Sequence, residues 1–274
     1  GTSYTIGALA QPVVGGRVRD PVFGAWQRRL SPGNVHTYSQ LQAFSSDDLY
    51  LLQVGGNGYS VVRYGDLAVV APATWVWNAA RWIPGTHKIV FLTPSPLRVQ
   101  AYDVDARTTS TLATLPYDFV DPARSQEDLS EDGRWIAIFA KRAADQRQFI
   151  VTVDLTTGGI GATLDHSGLV ASGGPCVQDP QWPGPVGLDR VAVSPLGKYL
   201  EIQWNRDGNA RCSGLEVFDI RTGAFLRRLY PHHAHADRGV DVDGREFILS
   251  SELAHPMSNS YPALARYFFD WTRP

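Results

Sequence analysis

Cysteine is nearly absent from this chain of 274 residues: only Cys176 and Cys212 occur. Two cysteines cannot make the framework of a disulfide-stapled mini-domain, so a buried apolar core must hold the fold. Lysine is scarce too, at three of the 25 basic residues (Lys88, Lys141, Lys198). The rest are arginine, which grips carboxylates and sulfates better than lysine does. The net charge is −2 and no basic tract occurs, so nothing favours nucleic acid as a partner. No run of ~18 apolar residues is present to span a membrane. No segment reads as a signal peptide, and no stretch reads as an amphipathic helix. Turn residues, by contrast, are plentiful: Gly 26 and Pro 18, in a chain that is 43% hydrophobic. This points to one large all-β domain over 1–274.

A hairpin signature returns five times: Ser45-Ser-Asp-Asp-Leu-Tyr50, Ile83-Pro-Gly-Thr-His-Lys88, Ser130-Glu-Asp-Gly-Arg-Trp135, Ser194-Pro-Leu-Gly-Lys-Tyr199 and Asp241-Val-Asp-Gly-Arg-Glu246. A second one follows behind it: Tyr102-Asp-Val-Asp-Ala-Arg-Thr108, Val153-Asp-Leu-Thr-Thr-Gly158, Phe218-Asp-Ile-Arg-Thr-Gly223 and Phe269-Asp-Trp-Thr-Arg273. A strand–turn–strand unit repeated at this length predicts a β-propeller. The expected blades, each of four antiparallel strands a to d, cover about 40–71, 80–115, 128–164, 190–230 and 238–270. Trp135–Phe139 and Phe149–Asp154 are mostly apolar, as strands covered on both sides by neighbouring blades should be.

The fifth blade stops before its outer strand. Gly24-Ala-Trp-Gln-Arg-Arg-Leu-Ser31 matches the outer-strand text of blade four, Gly223-Ala-Phe-Leu-Arg-Arg-Leu-Tyr230. The expectation is therefore a ring of five blades closed by an N-terminal strand at 23–31, with Trp26–Leu30 paired to Ala265–Phe269. Closure pairs both free edges. A seven-bladed ring lacking two C-terminal blades is the competing architecture.

In a propeller the d-to-a and b-to-c loops share one face, around the mouth of the axial channel. That face collects His36, Tyr38, Trp75, Trp77, Asn78, Arg81, Glu127, Trp182, His232, His233, His235, Asp237, Arg238, His255 and Tyr261. Five of the seven His lie there; His87, in an a–b turn, and His166, in the linker after blade three, do not. Tryptophans beside amides and charged groups suit a sugar ring. His233-Ala-His235 puts two imidazoles on one side of the chain, with Asp237 beside them, a donor set for a divalent ion such as Mn, Ca or Zn. The bland readings stand alongside: tryptophans packed between blades and a surface His cluster without function. Cys176 and Cys212 fall on the same face, either as a disulfide in an oxidising compartment or as two buried thiols.

Ser194-Pro-Leu-Gly-Lys-Tyr199 resembles the hairpins of TolB-type propellers. The His-rich mouth is more similar to the propeller polysaccharide lyases, the oligogalacturonate lyase and ulvan lyase groups. Those families usually have seven blades. In the first, the resemblance implies a metal on His residues that include the pair His233 and His235; the family's Gln shortly before that pair is Tyr230 here. In the second it implies His and Tyr as acid and base, with an Arg neutralising the uronate.

The expected function is thus a polysaccharide lyase that cleaves a uronic-acid-containing glycan by β-elimination. The C5 proton is weakly acidic, so the carboxylate must be neutralised before a base removes it. His36 or His235 is the expected base, Tyr38 the acid and Arg238 the clamp. Trp75, Trp77, Asn78, Arg81, Glu127, Trp182 and Tyr261 would bind the substrate, and His233, His235 and Asp237 the metal. A glycoside hydrolase using Asp121, Glu127, Asp179 and Asp237 and a propeller that only binds glycan or protein are the other readings. The expected setting is a secreted or periplasmic monomer that meets polysaccharide or oligosaccharide, not nucleic acid or membrane.

Overall fold

A computed structural model describes residues 11–31, 41–55, 58–71, 80–122, 124–125, 129–176, 186–232, 235–252 and 263–270. Its strands form consecutive antiparallel sheets. A hairpin of β1 (Arg17–Arg19) and β2 (Trp26–Arg28) comes first. Sheet 1 holds β3 (Tyr50–Gly55), β4 (Gly58–Arg63) and β5 (Val69–Ala71), with an inner segment bridged at Phe44 to Leu51. Sheet 2 holds β6 (Arg81–Trp82), β7 (Lys88–Thr93), β8 (Arg98–Asp103) and β9 (Thr108–Thr114). Sheet 3 holds β10 (Phe119–Val120), β11 (Trp135–Lys141), β12 (Gln148–Asp154) and β13 (Gly159–Asp165). A short helix, α1 (His166–Val170), follows. Sheet 4 holds β14 (Leu188–Val193), β15 (Tyr199–Trp204), β16 (Leu215–Asp219) and β17 (Phe225–Tyr230), and sheet 5 holds β18 (Ala236–Val240), β19 (Glu246–Glu252) and β20 (Ala263–Phe268). Strand order within each sheet follows chain order, the up-and-down meander of a propeller blade.

The first signature folds through its opening side chain. Ser45, Ser130 and Ser194 each accept, on Oγ, the backbone N–H five residues on, at 3.0, 2.9 and 3.1 Å. Asp241 does the same job for Arg245 N–H at 2.9 Å. The fourth turn position has positive φ, taken by Gly133 (69°), Gly197 (64°) and Gly244 (76°), and by Asp48 (60°) in sheet 1. In the second signature the Asp carboxylate closes the turn: Asp154 accepts Thr156 N–H at 3.0 Å and Asp219 accepts Thr222 N–H at 2.7 Å.

Between successive sheets lie separate apolar cores. Leu52 and Val61 meet Trp82, Ile89 and Phe91. Val90, Leu92 and Val99 meet Ile136, Ile138 and Val151. Trp135 and Phe139 meet Val191, Leu200 and Trp204. Leu215, Val217 and Tyr230 meet Ala236, Ile248 and Phe269. Along β11 the side chains alternate, Trp135, Ala137 and Phe139 toward sheet 4 and Ile136, Ile138 and Ala140 toward sheet 2. This explains a strand with no polar face. Backbone and side-chain hydrogen bonds tie the seams: Trp82 Nε1 donates to Ala43 O at 2.9 Å, and Thr152 Oγ1 to Ile220 O at 2.6 Å.

Two expectations are corrected. Trp26–Arg28 does not pair with β20; among the described residues it pairs with Arg17–Arg19 instead. The physical reason is local: Asp20 closes a tight turn by accepting Val22 and Phe23 N–H at 2.8 and 2.9 Å, which folds the strand back on its own neighbour. A helix also forms where none stood out, because Asp165 caps α1 by accepting Gly168 N–H at 3.0 Å.

The hairpin has a defined seat. Arg28 donates to the carbonyls of Tyr64 and Gly65 at 2.5 and 3.1 Å, at the turn between β4 and β5. The corresponding turns of sheets 3 and 4 also rest on an earlier strand. Gly158 lies against Leu112 of β9 so closely that a Cβ would clash with its carbonyl, and Gly223 lies against Leu164 of β13. β2 thus stands to sheet 1 as β9 stands to sheet 3 and β13 to sheet 4.

Candidate functional site

All five sheets send their innermost segment to one central cavity of about 220 Å³. Phe44, Trp82, Leu129 and Val193, each the residue just before a first-signature turn, supply its apolar wall. Gln42, Glu131, Asp237 and Arg238 supply polar groups. The shared position follows from period-two geometry: residues at matching offsets from the turn face the same way.

Arg238 is the cavity's cation, and it is anchored. Its Nε lies 2.9 and 2.8 Å from the two oxygens of Glu201, whose side chain is 1% exposed. The pair joins β18 to β15 across the seam between sheets 4 and 5. Below a cavity wall, a buried carboxylate is tolerable only when paired in this way. Tyr230 sits nearby, buried, and its hydroxyl donates to Gln203 Oε1 at 3.0 Å. Burial pushes that phenol up to about 12, so it stays protonated as a donor. Gln203 in turn donates to His232 O at 3.2 Å, which holds the chain as it approaches His235. His235 and Asp237 are exposed, two residues apart. Asp237 Oδ1 accepts the Arg238 N–H at 2.8 Å.

The loop above is clamped on the sheet-4 side. Cys176 and Cys212 form a disulfide, with Cα atoms 5.2 Å apart. Glu216, fully buried, accepts from Trp204 Nε1 at 3.0 Å, Arg211 Nε at 2.8 Å and Cys212 N–H at 2.9 Å. One carboxylate thereby fixes the end of the disulfide and the loop that carries it.

Of the residues expected at the mouth, Asp237 and Arg238 come together in the cavity. His235 stands at the surface beside them. Arg81 is 1% exposed, buried near Tyr59 rather than open to the mouth. Asp121 is engaged by Arg124. His36, Tyr38, Trp75, Trp77, Asn78, Glu127, Asp179, Trp182, His233, His255 and Tyr261 lie outside the described residues. Among the described residues no group of three or more His, Cys, Asp or Glu could hold a metal. His235 and Asp237 are two donors of the expected set, and His233 is its third. No helix among the described residues is long and apolar enough to cross a membrane.

Phe44, Trp82 and Glu131 were not anticipated. Their signal is their offset from the repeated turn, which only becomes a signal once the inner strands are known to face a common axis.

No protein-family model matches the chain, and no curated protein sequence matches it. Solved structures similar to it include TolB from Acinetobacter baumannii (15% identity, TM-score 0.43, covering 79% of this chain and 49% of that one). Another is an oligogalacturonate lyase in complex with manganese (14% identity, TM-score 0.38, covering 82% and 75%). A third is the β-propeller domain of the Trilobed protease from Pyrococcus furiosus (8% identity, TM-score 0.39, covering 82% and 64%). The chain spans about half the length of that TolB chain.

Proposed function

We propose that the protein is a carbohydrate-active propeller of five blades, working in a secreted or periplasmic setting, that cleaves a uronic-acid-containing glycan by β-elimination. The observation that carries this reading is the composition of the central cavity. Aromatic rings (Phe44, Trp82), a cation (Arg238), a carboxylate (Asp237) and an amide (Gln42) converge there from different sheets. Stacking surface plus convergent polar groups is the chemistry of a sugar site. The disulfide supports the oxidising setting. The seat of β2 on the turn of sheet 1 supports closure of the ring by the N-terminal segment.

In this reading Arg238 neutralises the uronate carboxylate, which makes the C5 proton acidic enough to remove. His235 or His36 takes that proton and Tyr38 protonates the leaving oxygen. The electron pair of the C5–H bond forms the C4–C5 double bond as the C4–O bond breaks. Trp75, Trp77 and Trp182 wall the subsites, with Asn78, Glu127 and Tyr261 as polar contacts. A divalent ion on His233, His235 and Asp237 would add positive charge at the same carboxylate; His235 would then have no free lone pair, and His36 would be the base.

One observation favours a second reading. Glu201 already compensates Arg238, so an incoming carboxylate competes with a buried one. A propeller that binds the glycan without cutting it needs no such displacement.

The test is a panel of uronate polysaccharides incubated with metal-replete protein. Cleavage by elimination produces an absorbing unsaturated uronate. We expect that signal with at least one polymer, and its loss in His235→Ala if His235 is the base. Calorimetric binding without any absorbance rise establishes the binding module instead. Neither binding nor product with any polymer refutes the carbohydrate reading.

A further inference from the structure

Lys141 stands apart from the other two lysines. Lys88 lies 3.7 Å from Asp103 and Lys198 lies 3.7 Å from Glu246. Lys141 has no carboxylate partner among the described residues. It ends β11, at the loop side of the molecule, opposite to the repeated turns. Register puts it directly across from Phe119 of β10 and Gln148 of β12. Residues directly opposite in an antiparallel ladder point to the same face. Ring, ammonium and amide therefore form one row across three strands. Asp121 and Phe139, two residues along from Phe119 and Lys141, share that face.

This row lines a recess of about 410 Å³, within the size range of small-ligand sites. Phe139 is its buried floor, and the Phe119 ring is 44% exposed at its rim. Asp121 pairs with Arg124, and the Asp118 carboxylate is turned to Ala143 N–H at 2.6 Å. Among the described residues, Lys141 is the cation lining the recess and no ion pair engages it.

We propose that this recess is an anionic-sugar subsite, separate from the central cavity, which takes one uronate residue of a longer glycan. Phe119 stacks under the pyranose ring, Lys141 binds its carboxylate, and Gln148 meets its hydroxyls. The proposal rests on the reading that the loop face takes a uronate glycan, and it adds a second holding point on sheet 3.

The test titrates the full chain calorimetrically with oligosaccharides of galacturonate, glucuronate and mannuronate, each as free acid and as methyl ester. Wild type should bind at least one acid form more tightly than its ester. Lys141→Met should weaken acid binding roughly tenfold and leave ester binding unchanged, as expected for losing one charge-assisted hydrogen bond. Lys141→Arg should restore most of it. Equal melting temperatures confirm that all three proteins are folded. Unchanged acid binding in Lys141→Met, no preference of wild type for the acid, or no binding of any probe overturns the subsite. Absorbance in the same samples separates the two ideas. Charge-dependent binding without unsaturated product refutes elimination and leaves the subsite standing. Product formed with the same KM by wild type and Lys141→Met removes the subsite and leaves elimination standing.

Discussion

His87 Nε2 lies 2.8 Å from Asp47 Oδ2, and the two residues belong to different sheets. The other ring nitrogen, Nδ1, lies 2.7 Å from Asp105 Oδ2. A neutral imidazole donates only once, so two carboxylate partners require the doubly protonated ring. The hydrogen bonds to Asp47 and then Asp105 raise the His87 pKa, and the bond to His87 holds Asp47 down at about 2. Tyr50 packs edge-on to His87 at 4.9 Å and stacks on Trp82 at 6.4 Å, so the latch adjoins the wall of the central cavity.

The first prediction concerns pH. A raised folded-state pKa for His87 means its stabilisation is full below the unfolded value of ~6.5 and is lost as pH rises through the folded value. Asp47 works the other way, with stabilisation present above ~3.9 and lost as pH falls through about 2. Melting temperature should therefore decline on the alkaline side of neutrality. His87→Gln should flatten that decline. An identical slope in wild type and His87→Gln would falsify the latch.

A second prediction follows from Arg238 and Glu201. Breaking a buried pair leaves one uncompensated charge, at a cost of about 3–5 kcal/mol. Glu201→Gln and Arg238→Met should each destabilise by that order in urea unfolding. The double variant Glu201→Leu with Arg238→Met should cost less than the sum, because each single variant already removes the pair they share. Additive costs would mean that the two side chains are energetically independent despite their 2.8 Å contact.

The difference between these residues shows what was legible in the sequence. Ser130 and Asp154 act within five residues of themselves, so their turns could be read directly, and with them the repeating sheets. Phe44, Trp82, Leu129 and Val193 share an offset from those turns, but an offset means nothing until the ring axis is known. Arg238 and Glu201 are 37 positions apart, and no local pattern pairs them. His87 reads in the sequence only as an a–b turn residue away from the mouth; its two partners, at 40 and 18 positions' distance, come from other turns and leave no local signal. The N-terminal text does form a strand, β2, but its pairing differs from the one expected, since the Asp20 turn offers β2 a nearer partner.

The disulfide gives a third prediction. Linking Cys176 to Cys212 across 36 positions constrains the unfolded chain, an effect worth ~2–4 kcal/mol. Reduction, or Cys212→Ser, should lower stability by that order and loosen the loop that Glu216 holds. Thiol titration of the native, non-reduced protein should find no free thiol. Two reactive thiols in unreduced, denatured protein would show that the bond is absent in solution.

The last prediction concerns His166, which sits buried between Phe139 at 4.9 Å and Trp204 at 5.9 Å. Neither ring nitrogen has a hydrogen-bond partner among the described residues. Desolvation first, and the charge of Arg124 second, push its pKa down to about 4. The sign is opposite to that of His87. Here the unfolded chain binds the proton more readily, so stability is full above ~6.5 and is lost as pH falls toward about 4. A depression of that size is worth on the order of 3 kcal/mol at the acid end. His166→Phe keeps an aromatic ring between Phe139 and Trp204 and removes the titration. It should therefore melt higher than wild type at pH ~4.5 and show a smaller gain at pH ~7.5, the window set by these two values. Calorimetric scans at those two pH values decide it: an equal difference at both would mean that His166 carries no proton-linked cost, and that the seam between sheets 3 and 4 is insensitive to acid through this residue.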